Sequence, residues 1–104
     1  MKWFKGINNR QIRLTEERQE HIKADHPEML AQIGKIQDTL LYPDIIVRSR
    51  TDPDVDLFYR YYSITPVTEK YLCVVVKVLV GDQFIITAYF TDTIKRGEIL
   101  WEKV

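Results

Sequence analysis

The sequence predicts an α+β fold in which N-terminal helices pack on one face of an antiparallel sheet of about four strands. The main observation is a change of hydrophobic period: apolar residues recur every three or four positions over residues 29–41, and every second position from Asp44 onward. The second observation is that no repeat, low-complexity tract or flexible linker interrupts the 104 residues. We therefore expect a single domain over residues 1–104.

Capping residues and prolines bound the two predicted helices. Thr15 precedes two glutamates, a combination typical of a helix N-terminus, and Pro27 ends this helix because the residue before a proline disfavours the helical region. A second helix is expected over residues 29–41, where apolar side chains form one stripe, and Pro43 stops it.

The predicted strands lie before the first helix and after the second. A short strand is expected near Leu14, and longer ones are expected at 45–50, 56–62, 70–80 and 84–90. The parity of 56–62 is ambiguous, since Leu57, Tyr59 and Tyr61 could face the core as readily as Phe58, Arg60 and Tyr62.

The register of the last hairpin places one lysine on a distinct face. A three-residue connection, 81–83, pairs Val80 with Phe84 and puts Lys77 opposite Thr87, one step from Tyr89. A two-residue connection at Gly81-Asp82 would instead bury an unpaired ammonium, at a cost of several kcal/mol. We therefore expect a sheet face away from the helices that carries a cation, hydroxyls and a phenol.

His26 is the strongest candidate for proton transfer. It ends the first helix and is followed by a proline, and an imidazole at such a position can act as a general acid or base. The alternative is a C-cap histidine that bonds the last helical carbonyls. His21, roughly 140° away around the helix, is interpreted as structural.

Several other side chains could bind a phosphodiester. Guanidinium groups at Arg48, Arg50 and Arg60 would grip phosphate oxygens, and the ring of Tyr59 could stack a base. Lys95 lies in a polar turn that could close the rim of such a site. For each arginine, surface pairing with a neighbouring aspartate is the alternative.

Composition excludes several classes of protein. With 15 Lys+Arg and 15 Asp+Glu, the chain lacks the excess of cations that charge-driven, tight nucleic-acid binding requires. One cysteine permits neither an intrachain disulfide nor a Cys-rich zinc site, so we expect no metal or other cofactor. No apolar run approaches the ~18 residues of a membrane span, and no secretion signal is evident, so a cytoplasmic location is expected.

Several sequence blocks together resemble the barnase–EndoU–colicin–RelE superfamily of ribonucleases and toxins, in its branch of small phage-associated domains. They are Asp25-His26-Pro27-Glu28, the block from Lys70 to Lys77, Ile85-Ile86-Thr87-Ala88-Tyr89 and Asp92-Thr93-Ile94-Lys95. The resemblance implies a RelE- or barnase-like fold that cuts RNA without a metal, by attack of a ribose 2′-hydroxyl on the adjacent phosphate. It also implies catalytic roles for His26, Arg60, Lys77, Thr87 and Tyr89.

The sequence thus favours a metal-independent endoribonuclease, a toxin or phage-linked effector acting on RNA such as tRNA. Substrate contacts are expected from Arg48, Arg50, Tyr59 and Lys95. An antitoxin or immunity protein would be its partner, and the sequence leaves the oligomeric state open. The alternative is a non-catalytic module on the same scaffold that binds RNA or a protein.

Overall fold

A computed structural model describes residues 1–104 and shows helices and sheet in one α+β unit. In chain order the elements are β1 (Lys2–Gly6), β2 (Arg10–Leu14), α1 (Glu16–Asp25), α2 (Ile33–Leu41), β3 (Ile45–Arg48), β4 (Val55–Tyr62), β5 (Lys70–Leu79), β6 (Asp82–Thr91) and β7 (Ile99–Glu102). Short 3-10 turns lie at Ile7–Asn9 and Pro27–Met29. Neither helix is long and apolar enough to cross a membrane.

The strands form one sheet of seven, in the order β1-β2-β6-β5-β4-β3-β7. All neighbours are antiparallel except β2 and β6, which are parallel and meet at the single pair Arg13–Phe84. The α+β class is confirmed, but the expectation of about four strands and leading helices is wrong in detail. A hairpin precedes the helices and extends one edge of the sheet, and β7 adds a strand to the other edge.

The helix ends follow the caps that the sequence indicates, with one exception. The Thr15 hydroxyl accepts a hydrogen bond from the Arg18 N–H at 3.2 Å, so Thr15 is the N-cap of α1. The second helix begins at Ile33 rather than at Met29. Ala31 has a φ of 64°, a left-handed conformation that cannot continue a right-handed helix.

The helices cover one face of the sheet, and the main core lies between the helices and that face. Its fully buried members include Ile12, Leu14, Ile36, Leu40, Phe58, Leu72, Val74, Val76 and Ile85. A smaller cluster lies on the opposite face, which we call the second face, and consists of Val47, Val55, Leu57, Tyr59 and Cys73. Ile94, in the segment that leads to β7, packs against this smaller cluster.

The register of the β5–β6 hairpin differs from the predicted one. Leu79 pairs with Asp82 across a two-residue connection, in which Gly81 takes a φ of 72° that glycine adopts without strain. Lys77 therefore lies opposite Phe84, and Thr87 lies opposite Val75. Lys77 still points away from the helices, as expected, because β5 keeps its even-numbered residues in the main core.

An irregularity in β6 changes the register a second time, beyond the effect of the short connection. The register shifts by one residue between Val75 and Val76, where β6 contains a bulge. Ile85 consequently faces the main core, while Ile86 packs against the cluster on the second face. The alternation of apolar residues does not reveal such an extra residue, because both neighbours are isoleucines.

A bidentate ion pair reinforces the short junction between β2 and β6. Arg13 donates from Nε and Nη2 to the two carboxylate oxygens of Asp82, each at 2.9 Å, and its guanidinium lies 5.1 Å from the centre of the Phe84 ring. The guanidinium holds the pKa of the Asp82 carboxyl below its ordinary value. This pair ties the N-terminal hairpin to the β5–β6 turn.

We predict that Asp82→Asn destabilises the fold at neutral pH but not in acid. A carboxyl with a lowered folded pKa contributes stability above its unfolded value of about 3.9, and the contribution is lost as the pH falls through the folded value. Urea unfolding of both proteins from pH 7 down to pH 2 measures the gap. Asp25→Asn, which removes a carboxylate without an ion pair, is the control. A gap that persists at pH 2 would contradict the prediction.

A second prediction concerns Gly97, where the segment before β7 lies directly on β3. A Cβ atom at Gly97 would overlap the Arg48 carbonyl oxygen and come within 2.8 Å of Val47 Cγ1. Gly97→Ala should therefore lower the free energy of unfolding by about 1–3 kcal/mol. Gly34→Ala is the matched control, because a Cβ there meets nothing within 4 Å and should raise stability by about 0.4–1 kcal/mol. Equal unfolding midpoints for the two variants would contradict the close approach.

Candidate functional site

The predicted site residues divide between the two faces of the sheet. Lys77, Thr87 and Tyr89 all lie on the second face, as their strand partners show. Arg60 lies on the helix face, because it pairs with Leu72, a member of the main core. In β4, Phe58, Arg60 and Tyr62 therefore face the helices. Arg60 does not join the other predicted catalytic residues.

His26 lies against Tyr89 at the edge of the second face. The centres of the two rings are 5.5 Å apart and the ring planes are inclined by 31°. This contact follows from the topology: β2 leaves β6 after Phe84, and α1 packs along the part of β6 that β2 does not pair with. The backbone N–H of His26 also caps α1 by donating to the Ile22 carbonyl at 2.7 Å.

Glu28 completes a carboxylate–imidazole pair with His26. Its Oε1 lies 3.4 Å from His26 Nδ1, and 33% of the histidine side chain and 24% of the glutamate side chain are exposed. The 3-10 turn that begins at Pro27 carries Glu28 back towards the imidazole. The pair is therefore partly shielded yet open to a ligand. The sequence signal for this pair was the position of Pro27 and Glu28 directly after His26.

A row of two phenols and one thiol crosses the second face beside this pair. Tyr59, Cys73 and Tyr89 are direct neighbours on β4, β5 and β6. Burial raises the pKa of both phenols, and it raises the pKa of the Cys73 thiol to about 11. All three groups therefore keep their protons at neutral pH. The Tyr59 side chain is fully buried, and its hydroxyl accepts the Lys95 N–H at 3.1 Å, so its ring is not available to stack a base.

Exposed aromatic surface lies further along β4 and β5. Tyr61 and Tyr71 meet edge to face with ring centres 5.5 Å apart, and Tyr71 meets Tyr59 in the same way at 6.5 Å. Tyr61 is 45% exposed, and its hydroxyl donates to Glu69 at 2.9 Å. Tyr61, rather than Tyr59, therefore offers a ring that a base can reach.

Lys77 lies at the far end of the second face from His26. Its ammonium donates to Asp52 Oδ2 at 2.7 Å, and this contact raises the pKa of Lys77 and lowers the pKa of Asp52. Between Phe84, its partner, and Tyr89 the strand extends about 13–17 Å at about 3.3 Å per residue. Lys77 and His26 therefore share a face but do not converge on one atom.

Three cations without carboxylate partners surround a cavity on the second face. Arg50, Lys95 and Arg96 line a space of about 270 Å³ together with Ser49, Thr51 and Leu57. None of the three forms an ion pair. Like charges held close together repel unless an anion lies between them, so this cluster suits an oxyanion such as a phosphate group.

Arg48, the remaining predicted contact, lies outside this cation cluster. Its Nη1 is 2.6 Å from Glu98 Oε1, so Arg48 is in a surface ion pair, with a glutamate rather than with one of the neighbouring aspartates. Arg96 is the third cation of the cluster instead of Arg48. The sequence signal for Arg96 was its position next to Lys95 in the polar turn. No group of three or more His, Cys, Asp or Glu side chains is arranged to hold a metal ion.

Comparison of the chain with protein-family models, with curated proteins and with solved structures gives no match. The functional argument therefore depends on the residues and on their arrangement.

The packing of Tyr59 and Tyr89 around Cys73 predicts that its thiol resists alkylation. Its raised pKa of about 11 and its complete burial both suppress the thiolate at pH 8, so native protein should react with iodoacetamide only after unfolding. Tyr89→Ala removes the covering ring and should speed alkylation about tenfold or more, because one unit of pKa is a factor of ten in thiolate. Tyr89→Phe keeps the ring and should stay protected. Fast labelling of the native wild-type protein would contradict the packing.

Proposed function

We propose that this chain is a metal-independent endoribonuclease. The observation that carries the proposal is the His26–Glu28 pair beside Tyr89, on the edge of a sheet face that also presents uncompensated cations. A proton-transfer group, a phenol donor and phosphate-binding cations are the components that cleavage of a phosphodiester requires.

His26 is the proton shuttle in this proposal. The ribose 2′-hydroxyl attacks the adjacent phosphorus, the new P–O2′ bond forms as the P–O5′ bond breaks, and a 2′,3′-cyclic phosphate is the product. His26 takes the proton from the 2′-hydroxyl and delivers one to the departing 5′-oxygen. Glu28 is a positioning residue, because its carboxylate oxygen lies 3.4 Å from His26 Nδ1 and orients the imidazole.

Thr87 and Tyr89 orient the phosphate that reacts. A phenol with a raised pKa stays protonated and is therefore a hydrogen-bond donor to a phosphate oxygen throughout the pH range in which histidine titrates. Thr87 lies on the same face, two residues before Tyr89 on β6. These groups stabilise the charge that develops on the non-bridging oxygens.

The cations bind the strand on either side of the reacting phosphate. Arg50, Lys95 and Arg96 contact one neighbouring phosphate, and Lys77, which its Asp52 contact keeps protonated, contacts the backbone further along the face. Tyr61 stacks an unpaired base. This local arrangement accounts for RNA binding by a chain whose net charge is zero. The proposed substrate is cytoplasmic RNA such as tRNA, and the proposed partner is an inhibitory protein.

A binding module without catalysis is the second candidate. The specific observation in its favour is that His26 already serves as the C-cap of α1, which accounts for its position without chemistry. The Lys77–Asp52 pair likewise has a structural explanation, because it links β5 to the turn before β4.

Incubation of the purified protein with tRNA or total RNA in EDTA tests the proposal. We expect cleavage with 2′,3′-cyclic phosphate ends, and a loss of at least about 100-fold in rate for His26→Ala, the usual contribution of a general acid–base group. His21→Ala is the matched control, because this exposed imidazole on α1 pairs with Glu17 at 3.7 Å and lies away from Tyr89. Lys77→Met should raise KM more than it lowers kcat.

Two results would contradict the enzyme. RNA that binds to folded protein without being cut, with unchanged affinity for His26→Ala, supports the binding module instead. RNA that neither binds nor is cut excludes the ribonuclease and an RNA-binding module, and leaves a module that binds a protein.

A further inference from the structure

The helix-bearing side of the molecule contains a cavity that the proposed ribonuclease site does not use. It has a volume of about 520 Å³ and is lined by Ile7, Tyr42, Pro43, Arg60, Trp101 and Lys103 among others. This volume lies within the range of small-molecule sites, about 300–1,000 Å³, which are mostly apolar with a few converging polar groups. Because Arg60 is on the helix face and His26 contacts the second face, the two sites are separate.

Arg60 brings donors without acceptors to this cavity. Its Nη1 donates to the Tyr42 carbonyl at 2.7 Å, which anchors the side chain, whereas its Nε is buried and has no hydrogen-bond partner. No carboxylate pairs with Arg60 or with Lys103. The cavity therefore presents two cations whose charge no carboxylate of the chain balances, and an anionic ligand would balance it.

Two aromatic rings accompany these cations. The Tyr42 side chain is 60% exposed at the C-cap of α2, where the helix ends before Pro43. Trp101 pairs with Ile46 on the neighbouring strand and is partly buried against the main core. An exposed ring beside a guanidinium is the combination that stacks a nucleobase and holds its phosphate.

We propose that this cavity binds a nucleotide, with the base stacked on Tyr42 or Trp101 and the phosphate held by Arg60 and Lys103. An inorganic anion would leave the rings unused, and an uncharged aromatic molecule would leave the guanidinium unpaired. The shared chemistry, a base joined to a phosphate, could come from a free mononucleotide or from a nucleotide within a single RNA strand. The proposal is independent of ribonuclease activity, since it involves no residue of the His26 site.

Fluorescence of Trp101 provides a direct measurement. The chain has two tryptophans, so Trp3→Phe leaves Trp101 as the only reporter. AMP, GMP, CMP and UMP are titrated into this variant, and at least one should quench saturably. Adenosine and inorganic phosphate, which each lack half of the ligand, should bind at least tenfold more weakly. A 2′-O-methyl RNA decamer, which cannot be cut by 2′-hydroxyl attack, identifies the source: tighter binding than UMP indicates a strand, and equal binding indicates a free nucleotide.

Matched variants assign the binding to the cavity. Arg60→Met and Lys103→Met, each in the Trp3→Phe protein, should weaken binding at least tenfold, whereas Lys2→Met, an unpaired lysine on the opposite sheet edge, should not. Because Arg60 also donates to the Tyr42 carbonyl, circular dichroism is used to check that the Arg60→Met variant is folded. If that variant unfolds, the Lys103→Met variant tests the proposal alone, because Lys103 is exposed. No saturable quenching by any of the four nucleotides up to about 10 mM, or unchanged quenching in Lys103→Met, would overturn the proposal. Failure of RNA cleavage is a separate result, because it is measured at His26.

Discussion

The single ladder pair between β2 and β6 determines where the first helix can lie. After Arg13 meets Phe84, the chain leaves the sheet at Leu14, and Thr15 caps a helix that runs beside the unpaired remainder of β6. The end of that helix therefore reaches Tyr89, five residues further along β6. If β2 paired with β6 along its full length, the strand would occupy the space that α1 fills, and His26 could not contact the second face. The Arg13–Asp82 pair holds this short junction at the tip of the β5–β6 hairpin.

Some of this arrangement could be predicted from local signals. Thr15 and Pro27 bounded the first helix because capping and the steric effect of proline act within a few residues. The alternation in β5 identified the side of Lys77, because a buried ammonium without a partner is costly enough to exclude the opposite face. Both predictions depended on chemistry that neighbouring residues determine.

Other features depended on contacts that the sequence does not display. The tighter turn and the bulge in β6 together placed Thr87 opposite Val75 instead of Lys77, and adjacent isoleucines at 85 and 86 concealed the bulge. The parity of β4 was undetermined because both of its faces are apolar, and only the packing of Phe58 under the helices places Arg60 on that side. The sequence places Glu28 two residues after His26, but the 3-10 turn at Pro27–Met29 that brings the carboxylate to the imidazole was not predicted.

Net charge is a poor guide to where this chain can bind an anion. The 15 basic and 15 acidic residues cancel overall, but the carboxylates are concentrated in ion pairs elsewhere, such as Arg10–Asp56 and Arg13–Asp82. Arg50, Lys95 and Arg96 consequently remain unpaired on the second face, and Arg60 and Lys103 remain unpaired on the helix face. Zero net charge therefore excludes strong non-specific attraction to nucleic acid, but it allows two local sites for phosphate.

The C-terminal segment contributes to both cation clusters. It runs from β6 across the second face, where the Lys95 N–H bonds Tyr59, and then pairs with β3 so that Trp101 and Lys103 reach the other side. Gly97 lies between these two stretches, against the Arg48 carbonyl. A substitution that displaces Gly97 would therefore disturb both clusters at once, and loss of binding in such a variant would not show which one holds the ligand. Substitutions at Lys103 and Arg96 separate the two, because each side chain is exposed and lines only one cavity.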